Sequence, residues 1–212
     1  MANFAETAVT ILAGIGGLFG IRAGTEAPHY TLVERVGEIE IRRYGPRLAA
    51  ETTVSGPSMD ARSAGFRKVA GYIFGGNTAK TSITMTAPVA QSAAASQKIA
   101  MTAPVAQQAA GADGQWRVQF FMPAKYSREA LPTPNDPAVR IVEVPPQDYA
   151  VLRFSGSASG AAVNARTREL TGRLAESAWR VTGEPTAWFY DPPWTAPFLR
   201  RNEVAAPVER AR

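Results

Sequence analysis

Cysteine is absent from the 212 residues, which excludes disulfide frameworks, Cys-ligated zinc, iron–sulfur clusters, thiolate haem ligation and cysteine nucleophiles. A chain without thiols is silent on its redox compartment. Histidine occurs once, as His29, so no multi-histidine metal site can form, nor a Ser-His-Asp apparatus unless His29 carries it. Acidic residues are missing over a long interval. Residues 61 to 112 hold Arg62, Arg67, Lys68, Lys80 and Lys98 and no Asp or Glu, so the net charge of +5 originates there. Those charges are too sparse for the basic, aromatic-interleaved stripe that nucleic-acid recognition uses, so no nucleic-acid partner is expected. A small anionic ligand suits them better, with solvated surface charge as the plain alternative for each.

Catalytic motifs are missing too. No HExxH, paired CxxC or G-x-S-x-G occurs, and the glycines from Gly14 to Gly20 lie in an apolar run with no Lys-Ser/Thr after them, which argues against a phosphate loop. Glu38 and Glu40 read as the solvated side of a strand. Asp191 and Glu203 flank a late loop, where a salt bridge with Arg200 or Arg201 is a better expectation than acid–base work. The chain therefore reads as a non-enzyme.

What is present is a folding chain. With 45% hydrophobic and 19% charged residues it belongs among globular proteins, long enough for one domain or two small fused halves. Residues 1–28 form an apolar N-terminal segment and linker. Its uncharged run from Thr7 to Ile21 would span about 22 Å as a helix at 1.5 Å per residue, short of the ~30 Å hydrocarbon core. A membrane-associating or export segment is the expectation, and an apolar helix docked on the domain the alternative. Residues 29–208 form the domain and 209–212 a tail.

Within the domain, period-two alternation predicts a hairpin from Tyr30–Val36 and Ile39–Tyr44, then a strand from Leu48 to Val54. A helix follows from Met59 to Phe74, capped by Ser58 or Asp60 and stopped by Gly75–Gly76, with Phe66, Val69, Ala70 and Ile73 on one face at i, i+3, i+4 and i+7. The second half repeats the plan: a hairpin-like pair from Val139–Val144 and Tyr149–Phe154, then a helix from about Gly160 to Trp179 capped by Ser159. Further strands are expected at Trp116–Met122, Thr186–Tyr190 and Glu203–Val208. Two strand–strand–helix–strand halves imply an α+β fold with pseudo-twofold symmetry. A shorter repeat, ITMTAPVAQ at 83–91 and IAMTAPVAQ at 99–107, predicts two strands of one hairpin.

Three features suit ligand binding: the Phe66–Val69–Ala70–Ile73 face, the cations Arg62, Arg67 and Lys68 on the same helix, and the stiff aromatic loop Trp194 to Phe198. Core packing, surface charge and a packed terminal loop are their respective alternatives.

Several segments together carry a resemblance. YTLVERVGEIEIRRYGP, AGFRKVAGYIFGGN, the doubled I-x-MTAPV, WRVQFFMP, RFSG, and YDPP followed by RRNEV resemble, in that order, the SOUL/haem-binding protein family, the doubled motif resembling its bacterial-type members. The resemblance implies an eight-stranded antiparallel distorted β-barrel flanked by two long helices. It also implies non-catalytic binding of haem or another tetrapyrrole in an apolar cleft beside the first helix, and a relation to gyrase-inhibitor-like small-molecule effector modules. Carried over, the haem pocket falls on Phe66, Val69, Ala70 and Ile73, with Trp194 and Phe198 opposite; Arg62, Arg67 and Lys68 are not reached by the carry-over itself but stand near enough on the helix to pair with propionates in place of the family's own basic positions. The family's proposed axial histidine is replaced here by Arg43. Its basic positions near the propionates fall on Ser63, Gly71 and Thr195.

Overall fold

The computed structural model describes residues 27–78, 105–109, 114–191 and 195–211. The expected N-terminal apolar helix, the first MTAPV copy, most of the second and Trp194 fall outside them. Twelve strands and two long helices follow in chain order: β1 Tyr30–Val36, β2 Ile39–Tyr44, β3 Arg47–Ser55, α1 Ser58–Ile73, β4 Asn77–Thr78, β5 Val105–Ala109, β6 Gln115–Phe121, β7 Thr133–Pro134, β8 Arg140–Val144, β9 Gln147–Phe154, α2 Gly160–Leu174, β10 Trp179–Val181, β11 Thr186–Phe189 and β12 Asn202–Arg210.

The main sheet is antiparallel and runs β1-β2-β9-β12-β11-β5-β6-β3-β8, with β10 added to β12; β4 and β7 make a separate pair. Without β1 and β10 the path is symmetric about the β11–β5 contact, each half contributing four strands in the same relation. This is the pseudo-twofold that the internal repeat predicts. For the expected distorted eight-stranded barrel, no closed barrel is found among the described residues: the hydrogen-bonded path has two ends, at β1 and β8.

The second expected hairpin is also absent. β8 and β9 do not pair with each other; β8 pairs β3, and β9 pairs β2 and β12. Pro145–Pro146 lacks the N–H groups and the freedom in φ that a tight hairpin turn needs, so the chain runs onward instead of reversing. Gly45–Pro46 does the same between β2 and β3. Tyr44 stands opposite Gln147 and Arg47 opposite Val144, so one register carries across both breaks. The two ends of the path are thus joined by the chain itself.

The helices cover one side of the curved sheet. Val69, Ile73, Tyr72 and Ala61 of α1 pack on Ala50, Val54, Val118 and Phe120 of β3 and β6. Leu170 and Leu174 of α2 pack on Ile39, Ile41, Leu152, Val204 and Ala206. Gly65 lets α1 approach β6 closely, since a Cβ there would stand 2.5 Å from Val118 Cγ2. The caps differ from each other. Ser159 accepts from the Ala162 amide as expected, whereas α1 starts after Pro57 with no side-chain cap bond. α2 also ends earlier than Trp179, which instead opens β10. No helix among the described residues is long and apolar enough to cross a membrane.

Candidate functional site

Alternation along α1 and the sheet divides the candidate residues between two places. On the helix side, Val69 and Ile73 are fully buried and Ala70 nearly so, while Phe66 is half-buried with its ring centroid 5.3 Å from that of Phe120. Exposed large apolar side chains include Met59 at the start of α1 and Phe74 at its end, and, in the late loop, Phe198, which is 76% exposed.

Arg62 joins this helix to the late loop. Its Nη1 donates to the Ala158 carbonyl at 3.1 Å and its Nη2 to Met59 Sδ at 3.0 Å, and its guanidinium lies 4.3 Å from the Phe189 ring centroid. Burial lowers its pKa, and the nearby positive charge of Arg200 lowers it further. Arg200 itself donates from Nε to the Thr195 carbonyl at 2.8 Å, and Pro197 accepts from the Gly156 amide at 2.9 Å, which ties the loop down. Two cations thus meet beside exposed apolar surface, the combination that attracts an anionic, mostly apolar molecule. Met59, Phe189 and Arg200 were not assigned to a ligand site from sequence. Met59 and Phe189 read there as ordinary apolar positions, and their meeting depends on how the late loop docks.

The other candidates lie apart from this contact. Arg67 is exposed, and Lys68 stands 3.7 Å from Asp136 in an exposed pair. Arg43, at the family's histidine position, forms an exposed bidentate pair with Asp148 at 2.8 Å. Ser63 donates to the Met59 carbonyl, Gly71 is exposed and Thr195 is buried. His29 is exposed just before β1.

The concave side of the sheet forms a second place, which the sequence reading missed. Tyr44, Phe121, Tyr149 and Trp188 converge there, with Tyr149 and Trp188 centroids 5.4 Å apart and Tyr44 and Trp188 5.6 Å. At one end, Arg42 grips the fully buried Glu203 at 2.9 and 3.2 Å, Arg201 Nη2 donates to it at 2.7 Å and the Tyr190 hydroxyl at 2.6 Å. The Arg201–Glu203 bridge expected from sequence is therefore present, but inside the sheet. Burial would raise the Glu203 pKa, and the Arg42 and Arg201 charges with their hydrogen bonds outweigh it and hold the carboxyl below its usual range. At the other end a cavity of about 330 Å³ opens between Glu51, Gln119, Phe121, Val142, Tyr149 and Trp188. No cluster of His, Asp or Glu able to hold a metal ion exists among the described residues.

The fold has known parallels. The C-terminal domain of EcmrR superposes with a TM-score of 0.58 at 9% identity, covering 86% of this chain and 99% of that one. EcmrR in a complex with DNA gives 0.57 at 10% identity, covering 98% of this chain and 66% of that one. An uncharacterised conserved protein from Listeria innocua gives 0.52 at 11% identity, covering 88% and 94%, and a protein from the same organism described as a hydrolase gives 0.50 at 12%, with the same coverage. At such identities the likeness concerns the fold. No curated protein matches at the level of sequence. The SOUL heme-binding protein family model matches residues 25–207, nearly the whole described domain, and the chain belongs to that family.

Proposed function

We propose that this protein binds haem or a closely related tetrapyrrole without transforming it, holding the ring along the exposed edge of α1. The carrying observation is Arg62: a largely buried guanidinium beside Arg200, bonded to a neutral carbonyl and a thioether, on the helix that also carries Met59 and Phe66. In this reading Phe66, Ala70 and Phe198 touch the ring, with Trp194 closing over it, while Val69 and Ile73 seat the helix beneath them. Arg62 takes a propionate, and Arg67 and Lys68 line the approach to it. A tetrapyrrole would bring its metal's redox and ligand chemistry; the residues on this edge supply apolar contact and positive charge. Residues 7–21 would tether the domain 29–208 to a membrane surface.

Haemin titration of the full chain, followed by Soret absorbance, tests the proposal. A saturable, shifted band is expected. Phe66→Glu should abolish it, and Arg62→Ala should weaken binding by about tenfold, the worth of one charge-assisted hydrogen bond. The dimethyl ester, which lacks carboxylates, should bind Arg62→Ala and the parent chain alike. Unchanged haemin affinity in Phe66→Glu would overturn the placement.

A second reading, a small-molecule effector module, draws on the cavity of about 330 Å³ inside the sheet. Flat apolar molecules without carboxylates binding as well as haemin would favour it. An enzymatic reading has only the fold likeness to the Listeria innocua hydrolase behind it.

A further inference from the structure

The concave face holds one guanidinium too many. Side chains 47, 49 and 51 of β3 point inward, and two of them are charged. Glu51 is matched by Arg140 Nη2 at 3.0 Å and Gln119 Nε2 at 2.8 Å. Glu203 is matched by Arg42 and Arg201, and Arg42 is matched a second time by Glu40 at 2.7 Å. Among the described residues Arg47 has no such partner. Its Nε, Nη1 and Nη2 are all buried, and none makes a hydrogen bond of acceptable geometry. The Tyr149 hydroxyl, a loosely placed acceptor, and the Tyr44 hydroxyl are the nearby polar oxygens that favour its charge.

What surrounds it instead is aromatic. The guanidinium carbon lies 4.4 Å from the Tyr44 centroid, 4.7 Å from Phe121 and 5.8 Å from Tyr149. These faces soften the burial of a cation but leave its N–H donors without an anionic partner. A guanidinium stays protonated in a protein, so the site cannot relieve itself by losing a proton. Burial pulls the Arg47 pKa down all the same, which registers the missing anion. Arg47 lines a cavity of about 90 Å³ together with Tyr30, Tyr44, Phe121, Trp188, Tyr190 and Arg201. Phe121 and Trp188 also wall the cavity of about 330 Å³, so both spaces border those two rings.

We infer that the inside of the sheet is a second binding site, separate from the α1 edge, for a small planar aromatic carboxylate whose carboxyl group pairs with Arg47. The small cavity admits the carboxylate, which a guanidinium can grip with two parallel bonds. The rings of Phe121, Tyr149 and Trp188 supply the apolar faces for a flat body reaching into the larger space, whose mouth carries the hydrogen-bonding groups of Gln108, Gln119 and Thr186. A dicarboxylate of tetrapyrrole size exceeds this volume.

Calorimetry with 2-naphthoate and with 2-naphthamide, its neutral counterpart, on the full chain tests the inference. Naphthoate should bind saturably and at least tenfold more tightly than the amide. Arg47→Met should remove that difference while leaving the haemin titration unchanged, and Arg62→Ala should do the reverse. Equal affinity for acid and amide, absence of naphthoate binding, or full binding by Arg47→Met would overturn it. If Arg47→Met does not fold, the acid–amide comparison on the parent chain still decides.

Discussion

Glu203 is the residue on which the inside of the sheet depends, because it neutralises Arg42 and Arg201 and accepts from Tyr190 where water does not reach. Removing one member of a buried ionic group leaves the others uncompensated. Glu203→Gln should therefore lose about 3–5 kcal/mol of stability in urea titrations. Since the Glu203 pKa is depressed by folding, its contribution is present above the carboxylate's ordinary value and drains away as pH falls through the lowered one. Stability measured against pH should thus decline on the acid side, and Glu203→Gln should flatten that limb. On the alkaline side the sign reverses. Burial raises Tyr44 to about 12, against opposing hydrogen bonding from Arg42, and raises Tyr72 to about 12 as well, where its hydroxyl donates to the Pro132 carbonyl. Their stabilisation is complete below the ordinary value of 10.0 and is lost between there and about 12. Tyrosinate absorbance should show late-titrating groups ionising together with the loss of circular dichroism. Early, independent ionisation of all six tyrosines would contradict this.

At the scale of elements, two glycines of α1 make opposite predictions. Gly65→Ala drives a Cβ into Val118 and should cost about 1–3 kcal/mol, shifting the helix and weakening haemin binding with it. Gly71 has open space around it, so Gly71→Ala should stabilise by about 0.5–1 kcal/mol through helix propensity. Thermal denaturation of the pair checks both signs. The same helix shows what the sequence makes legible. Its limits, its Gly75 stop and its buried stripe follow from apolar spacing, because that spacing is a local consequence of 3.6 residues per turn. Strand positions were equally readable from alternation, with β1 and β2 matching to the residue. Partners were not. That β8 passes by β9 to pair β3 depends on sheet curvature, which no local pattern encodes. For the site, helical spacing placed Phe66 and Arg62 on α1, but the approach of Arg200 to Arg62 is tertiary. Arg47 lies just before the strand expected at Leu48–Val54, and nothing in that segment's alternation says that Arg47, Ala49 and Glu51 face inward. That polar residues could face in requires both sides of the sheet to be covered, a property of the whole molecule.

At the largest scale, β2–β9, β3–β8 and β5–β11 tie the halves together across the pseudo-twofold. Each half pairs three of its own strands, β5-β6-β3 and β9-β12-β11, but β8 pairs only with β3 of the other half and β2 lies against β9, so the two should unfold as one. Tryptophan fluorescence and circular dichroism should give a single coincident transition in urea, and separately expressed residues 27–134 and 135–211 should stay unfolded. Two transitions would mean that the halves are independent units.

The position of β12 has a consequence for biosynthesis. It lies between β9 and β11 and carries Glu203, yet it leaves the ribosome after every strand it joins. Until then β9 and β11 have open edges, and Arg42 waits for its counter-ion. The nascent chain is thus an aggregation risk that ends only when residues 202–210 emerge, which makes it a natural client for a holding chaperone.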